Sequence, residues 1–322
     1  MTTLRPVKLE EAREAAERLR PLIVRTPLIR LNVQEAPAEI YLKMENLQPI
    51  GSFKIRPAGN AIFSLSPSRR GDGVYTASSG NMAQGVAYAA RALGIPATVY
   101  LPQDAASNKV EALKRLGARI RSLPNDEWWP IIDNHGHPDE KGVFVHPVAQ
   151  QDVIAGDSTV GLEIVEDLPD VDTVLVPFGG GGLASGVASV LRTLKPSVRV
   201  LGAESDHCTP LSASLEAGRP VQLPVERSFV SGIGIGRVLE EMWPLVTELI
   251  QGAVIASARE IVDAVALISE RHRIVVEGAG AAPVAAALAG RAGEGKVVCV
   301  LSGDNLDTKY LIDILEGRIP EP

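Results

Sequence analysis

The chain has 322 residues, 45% hydrophobic, with 39 acidic against 32 basic side chains and a net charge of −7. That is enough apolar material for a substantial core and about two domains, while the acidic balance without a basic run argues against nucleic acid as a partner. The two cysteines, Cys208 and Cys299, lie far apart without ligand spacing, residues 1–20 are charged and helix-patterned, and no apolar run reaches bilayer length; a soluble cytoplasmic protein without signal peptide, disulfide framework or zinc site is expected.

Leu9 to Leu22 spaces apolar residues at helical intervals, with Pro27 beyond its end. Ile40 to Met44 reads as a short strand leading into NLQPIGSFKIRPAGN, Asn46 to Asn60. Ser52 reads as an N-cap there, with Lys54 in the first turn and the helix continuing to Leu65. Pro57 is close enough to the start to be tolerated. Apolar flanks, Phe53 and Ile55, would desolvate the Lys54 ammonium, and the positive helix end disfavours its charge further. That is how a lysine becomes a nucleophile for a carbonyl. For the tripeptide alone, an ordinary surface lysine is the alternative.

From Gly71 to His146 strands and helices alternate. The strands are Val74–Ala77, Ala97–Leu101, Arg119–Leu123 and Val143–His146; the helices are Asn81–Leu93, Ala106–Leu116 and Glu127–Asn134. Gly94-Ile95-Pro96 and Gly117-Ala118 punctuate the turns. A second series has strands at Thr173–Phe178, Val198–Ala203, Ala253–Ala256 and Val297–Leu301. Its helices are Leu183–Leu194, Leu211–Glu216, Ala258–Arg271 and Ala281–Leu288, with an irregular stretch from Gly218 to Gly236. Such alternation with short turns means parallel pairing, and apolar strands of this kind are buried on both faces. The expectation is an α/β protein with a small domain, 71–146, and a large one, 1–70 with 147–322. Each is a mostly parallel twisted sheet with helices on both faces.

Three further loops follow predicted strands. Gly179 to Gly182 opens a helix; four glycines leave the backbone N–H groups unobstructed, and the helix N-terminus favours an anion. It is neither a Walker loop nor the G-x-G-x-x-G fingerprint, and phosphate is the ligand it suits; a tight turn is the alternative. Ser78-Ser79-Gly80-Asn81 suits a carboxylate and one further polar atom, or is an ordinary helix N-cap. Ser302 offers a neutral hydroxyl that could hydrogen-bond a heterocyclic nitrogen without protonating it. Four small-polar loops at strand ends are what one ligand site in an open α/β sheet needs. His135, His137 and His146 read as surface or loop residues, and Trp128-Trp129 as packing.

SFKIRPA, SSGN-x-AQG, FGGGGL, VEGAGAAP and SGDN, in this order and spacing, resemble the pyridoxal-phosphate serine/threonine dehydratases, a family that includes serine racemases. The resemblance runs from about Thr26 to about Leu315. Cysteine- and tryptophan-synthase-like relatives carry Ser-x-Lys-Asp/Asn-Arg instead. It implies a fold type II enzyme with its site in the cleft between the domains and pyridoxal 5′-phosphate as cofactor. Lys54 would hold the cofactor as a Schiff base and move the Cα proton, and Phe53 would pack on the ring. Asn81 would bond the phenolic oxygen, Gly179, Gly180, Gly181 and Gly182 the phosphate, and Ser302 the pyridine nitrogen. Ser78, Ser79, Gly80 and Asn81 would hold the substrate carboxylate; in racemases of the family the serine matching Ser79 works on the opposite face from the lysine, and dehydratases often keep it. The implied activity is α,β-elimination from a 3-hydroxy amino acid, giving a 2-keto acid and ammonia. A racemase or β-replacement enzyme on the same cofactor is the alternative; a non-catalytic sensor would not need Lys54. A homodimer or homotetramer is expected, with no membrane partner.

The chain departs from the family at three points. Met82 replaces the usual histidine and is expected to line the substrate's β-substituent. The family's SGGN reads SGDN, placing Asp304 near the cofactor. Glu204 matches the start of a family metal site, but Pro210 stands where an aspartate belongs, so no metal is expected; Asp206 could substitute only with different geometry. The C-terminal effector domain of biosynthetic threonine deaminases is not expected after Pro322.

Overall fold

The computed structural model describes residues 3–103, 105 and 107–321. Helix α1 (Leu9–Leu19) precedes β1 (Leu28–Arg30), β2 (Glu39–Lys43) and α2 (Ile55–Phe63). Next come β3 (Val74–Ala77), α3 (Asn81–Ala92), β4 (Ala97–Pro102), α4 (Ser107–Arg115), β5 (Arg119–Leu123), α5 (Asn125–Asp133) and β6 (Val143–Phe144). The long α6 (Gln151–Asp167) leads into β7 (Thr173–Pro177), α7 (Gly182–Leu194), β8 (Arg199–Ser205), α8 (Pro210–Ala217) and α9 (Trp243–Leu249). The chain ends with β9 (Ala253–Ala256), α10 (Ala258–His272), α11 (Gly278–Leu288), β10 (Lys296–Val300) and α12 (Thr308–Leu315).

Two sheets result. The six-stranded sheet has the order β1-β2-β10-β7-β8-β9 and is parallel except for β1; the four-stranded sheet, β5-β4-β3-β6, is parallel throughout. Because β2, β10 and β7 are parallel neighbours, their C-terminal ends open on one edge. The loops that leave there carry Lys54, Ser302 and the Gly179 run, which is where α/β sheets bind ligands. Among the described residues no helix is long and apolar enough to cross a membrane.

Several elements differ from the sequence expectation, and β1, α9 and α12 form where no element is predicted. Helix α2 begins at Ile55, with Lys54 as its N-cap; Ser52 Oγ accepts the Lys54 N–H at 3.3 Å, a local turn that imitates a cap two residues early. Residues 151–167 carry no predicted element, yet they form α6. Every residue from Val153 to Ile164 is buried, and a helix covered all round shows no amphipathic stripe. The expected helix from Ala106 has its first residue outside the described set, and α4 runs from Ser107.

The start of α2 is fixed by charge. The Arg56 guanidinium, fully buried, donates to both Glu45 oxygens at 2.7 and 2.8 Å, to both Glu163 oxygens at 2.8 Å, and to Thr159 Oγ1 at 3.1 Å. Lys43 Nζ adds a 2.5 Å bond to Glu163 and one of 2.7 Å to the Thr26 carbonyl. β2, the following turn, α2 and α6 therefore meet at one guanidinium. Removing it leaves two buried carboxylates short of partners. Arg56→Leu is predicted to destabilise the protein by about 3–5 kcal/mol, read as a lower urea midpoint; a midpoint equal to wild type would contradict this.

Candidate active site

The segment carrying Lys54 is laced to the loop after β10 through the backbone. Phe53 N donates to Ser302 O at 3.0 Å, Asp304 N to Gly51 O at 2.8 Å, and Ser52 bridges Gly303 in antiparallel fashion. Asn305 Nδ2 adds bonds to Ile50 O and Gly51 O at 3.1 and 3.3 Å. Two stretches some 250 residues apart in sequence thus become one surface, with Lys54 and Ser302 held by the same ladder. Lys54 is half-buried; its Nζ donates to the Pro147 carbonyl at 2.8 Å and lies 5.0 Å from the Phe53 ring centroid. Burial lowers its pKa, opposed by the charge of Asp157. A less basic lysine has a free pair available for a carbonyl.

The Pro147 carbonyl is itself positioned. His146 is buried, and its Nδ1 accepts the N–H groups of Val148 at 3.0 Å and Ala149 at 2.6 Å. Burial, then His135 and Lys54, push its pKa down to about 3, so the ring is neutral and carries its proton on Nε2. Of the two expectations, a surface or a loop residue, His146 meets the second and not the first: it lies in a loop but is buried, an acceptor that turns the loop so that Pro147 faces Lys54. Among the described residues, one group has the spacing of a metal site: His146, His135 and Glu241. His135 Nε2 is 2.8 Å from Glu241 Oε2, and His146 Nε2 is 3.9 Å from Glu241 Oε1. A cation would need the lone pair that the His146 tautomer replaces with a hydrogen. Glu204 is also engaged: its oxygens accept from Leu211 N at 2.6 Å, Ser212 N at 3.0 Å and Ser212 Oγ at 2.5 Å. Asp206 accepts from Ala258 N at the start of α10 at 3.2 Å.

The glycine run is buried where it turns from β7 into α7. Gly181 has φ 87°, which favours glycine. A Cβ on Gly180 would stand 2.9 Å from Val148 Cγ1 and nearer still to Cγ2. The loop after β3 reaches the loop after β10 through Asn81, whose Nδ2 donates to Glu277 Oε1 at 2.9 Å; Glu277 N in turn donates to Gly303 O at 2.9 Å. Ser78 Oγ accepts the Gly80 N–H at 3.3 Å, and Ser78, Ser79 and Gly80 are half-buried. Glu277 is buried, and burial pushes its carboxyl up to about 7, opposed by the Asn81 bond. Burial likewise raises Asp304, to about 6.

Met82 does not join this surface. Only 2% exposed, it packs in the core with Ile50, Ile55, Ala58 and Val86. Its place on α3 turns it toward α2, which corrects the expectation of a substrate contact. Glu277, His146 and Asp157 carry no predicted role. A lone charge inside an apolar run, as in VIAGDSTVGL or VVEGAGAAP, is the signal that marks two of them.

A family profile described as pyridoxal-phosphate dependent enzyme matches residues 19–303. The chain belongs to this family. It is 41% identical over 318 residues to an L-threonine ammonia-lyase of Thermotoga maritima, covering 96% of this chain and 78% of the relative. It is 36% identical to the catabolic L-threonine dehydratase of Escherichia coli, covering 96% of each. The structure of maize serine racemase superposes with a TM-score of 0.89 at 33% identity, covering 97% of this chain and 98% of that one. The protein is thus a fold type II, pyridoxal-phosphate dependent lyase, and its residues fit the cofactor. The Gly180 cradle has no room for a Cβ, and the first turn of α7 holds a buried Ser185 hydroxyl without a partner among the described residues.

That cradle is open to test. A methyl at residue 180 costs about 1–3 kcal/mol of overpacking, roughly five- to a hundredfold in cofactor affinity. Gly180→Ala is predicted to lose cofactor on dialysis, and adding Val148→Ala to restore part of it. Wild-type retention by Gly180→Ala would refute the cradle.

Proposed function

We propose that the protein eliminates water from a 3-hydroxy amino acid, L-threonine, L-serine or a β-aryl serine, releasing a 2-keto acid and ammonia. The observation that carries this is the setting of Lys54: a half-buried lysine with lowered basicity, the backbone before it laced to Ser302 and its Nζ on the carbonyl of Pro147, the residue before the Val148 that packs on Gly180. The named activities of the relatives favour elimination over racemisation. Residues 1–70 with 147–322 form the proposed large domain and 71–146 the small one, since β3 to β6 make one sheet and the remaining strands the other.

Bound pyridoxal phosphate supplies the electron sink that stabilises negative charge at the substrate Cα. The chain supplies the rest. Gly179 to Gly182 hold the phosphate with backbone N–H groups, Phe53 packs against the ring, and Asn81 donates to the phenolic oxygen. Ser302, a neutral partner, would leave the pyridine nitrogen unprotonated, which would favour prompt loss of the β-hydroxyl over reprotonation elsewhere. Ser78, Ser79, Gly80 and Asn81 fix the substrate carboxylate, so that the Cα–H bond stands over Lys54. Such orientation is worth several kcal/mol, about 7–11 in ideal cases. Lys54 takes the Cα proton, the Cβ–O bond breaks, and the hydroxyl leaves with one proton as water. The released enamine hydrolyses to the keto acid and ammonia. A cytoplasmic homodimer or homotetramer completes the proposal, on the resemblance and on two buried, unpaired cysteines.

Threonine, serine and phenylserine, each as L and D forms, are to be scored for keto acid, ammonia and chirality. At least one L substrate is predicted to give keto acid and ammonia in equal amounts, and Lys54→Ala to give neither while keeping its circular dichroism spectrum. Inversion of serine without keto acid would overturn elimination in favour of racemisation.

A further inference from the structure

Asp157 is a charge set inside α6, in a stretch from Val153 to Ile164 where every residue is buried. Its side chain is fully buried, and among the described residues neither carboxylate oxygen has a hydrogen-bond partner. A buried carboxylate without donors is costly, so its place needs a physical reason. The backbone of α7 comes against it at Gly186, where a Cβ would lie 2.7 Å from Asp157 Cβ. Further toward the helix start, Oδ2 stands 3.1 Å from the position a Cβ on Gly182 would take. The carboxyl therefore reaches the N-terminus of a thirteen-residue helix at the glycine run itself. Val148, which closes the cradle at Gly180, flanks Gly182 on this side too, with Cγ1 at 3.6 Å. The charged groups that act on Asp157 are Lys54 and Arg56, which favour its ionised form, and Glu45, which opposes it.

We propose that Asp157 is a proton-carrying ligand of the cofactor phosphate: it is protonated when phosphate seats on Gly179 to Gly182, and donates its O–H to a phosphate oxygen. The proposal rests on the glycine run being the phosphate site. A carboxylate and a phosphate dianion at one helix terminus repel each other, whereas a neutral carboxyl adds a donor to those of the loop. Without phosphate, the ionised form has Lys54 as its nearby cation. One side chain thus serves two states, and the exchange between them takes up one proton. Burial already holds the carboxyl up to about 7, so this proton comes at small cost near neutrality. The sign follows. Below that value the carboxyl is already protonated and affinity is flat on its account. Above it, affinity falls by about tenfold per pH unit until the pKa in the complex is passed.

The test uses the full chain freed of cofactor and titrated with deoxypyridoxine phosphate, which carries ring and phosphate but no aldehyde to react with Lys54. Between about pH 7 and 9, wild-type affinity is expected to fall by about tenfold per unit. Asp157→Asn, whose amide donates at every pH, is expected to lack that slope. Equal slopes in the two proteins overturn the proposal. Calorimetry of the wild type in two buffers of different ionisation enthalpy gives a measure that needs no variant: about one proton taken up near pH 8.5 supports it, and none overturns it. Gly180→Ala separates the two readings. If it weakens the probe while the slopes are equal, only the role of Asp157 fails; if it leaves the probe unchanged, the phosphate site itself is elsewhere.

Discussion

The buried guanidinium of Arg56 sets the geometry on which the site depends. It stands two residues after Lys54 and is gripped by carboxylates from two directions, Glu45 after β2 and Glu163 on α6. Among the described residues Glu45 has no other cation bonded to it and Glu163 has only Lys43 besides, and the guanidinium is in turn buried against both. The gain in net stability from such a cluster is small, because desolvation offsets most of the attraction. What it contributes is position. A bidentate fork has few acceptable arrangements, so the first turn of α2 has one place relative to β2 and α6. The backbone ladder from Phe53 to Ser302 then fixes the other side of Lys54.

Around this anchor, burial acts as the means of charge control. It pushes the acids Glu277, Asp157 and Asp304 upward, and it pushes the bases Lys54 and His146 downward. The surroundings of the site are thereby shifted toward neutral groups that can still donate or accept a hydrogen bond. Such an arrangement suits a ligand that brings its own charge. A phosphate needs donors without competing anions, and on the proposed reading a pyridine nitrogen beside neutral Ser302 would stay unprotonated.

Much of this was legible in the sequence, for physical reasons. Parallel strands are apolar runs that end in small residues where a ligand must approach, so β7 with its glycines, β3 with Ser78 and β10 with Ser302 stand out. Lys54 stands out because Phe53 and Ile55 flank it. Helix α6 does not, since burial on every side removes the periodicity that marks a helix. The start of α2 is misplaced by two residues because Ser52 bonds the backbone two residues on, as a cap does. Met82 shows the limit of position-by-position comparison: it replaces a polar residue near the site, yet its side chain packs into the core. Asn81 and Glu277 are 196 residues apart, and no local pattern announces that they meet. The same holds for Asp157, whose meaning lies in what α7 and Lys54 bring to it.

The central claim is that four loops converge to make Lys54 the residue that holds the cofactor. Borohydride reduction of the purified holoprotein, followed by peptide mass spectrometry, addresses it most directly. The pyridoxyl mass is expected on the peptide containing Lys54, with Lys43, buried against Glu163, unmodified. An adduct on any other lysine, with Lys54 unmodified, would contradict the site as described.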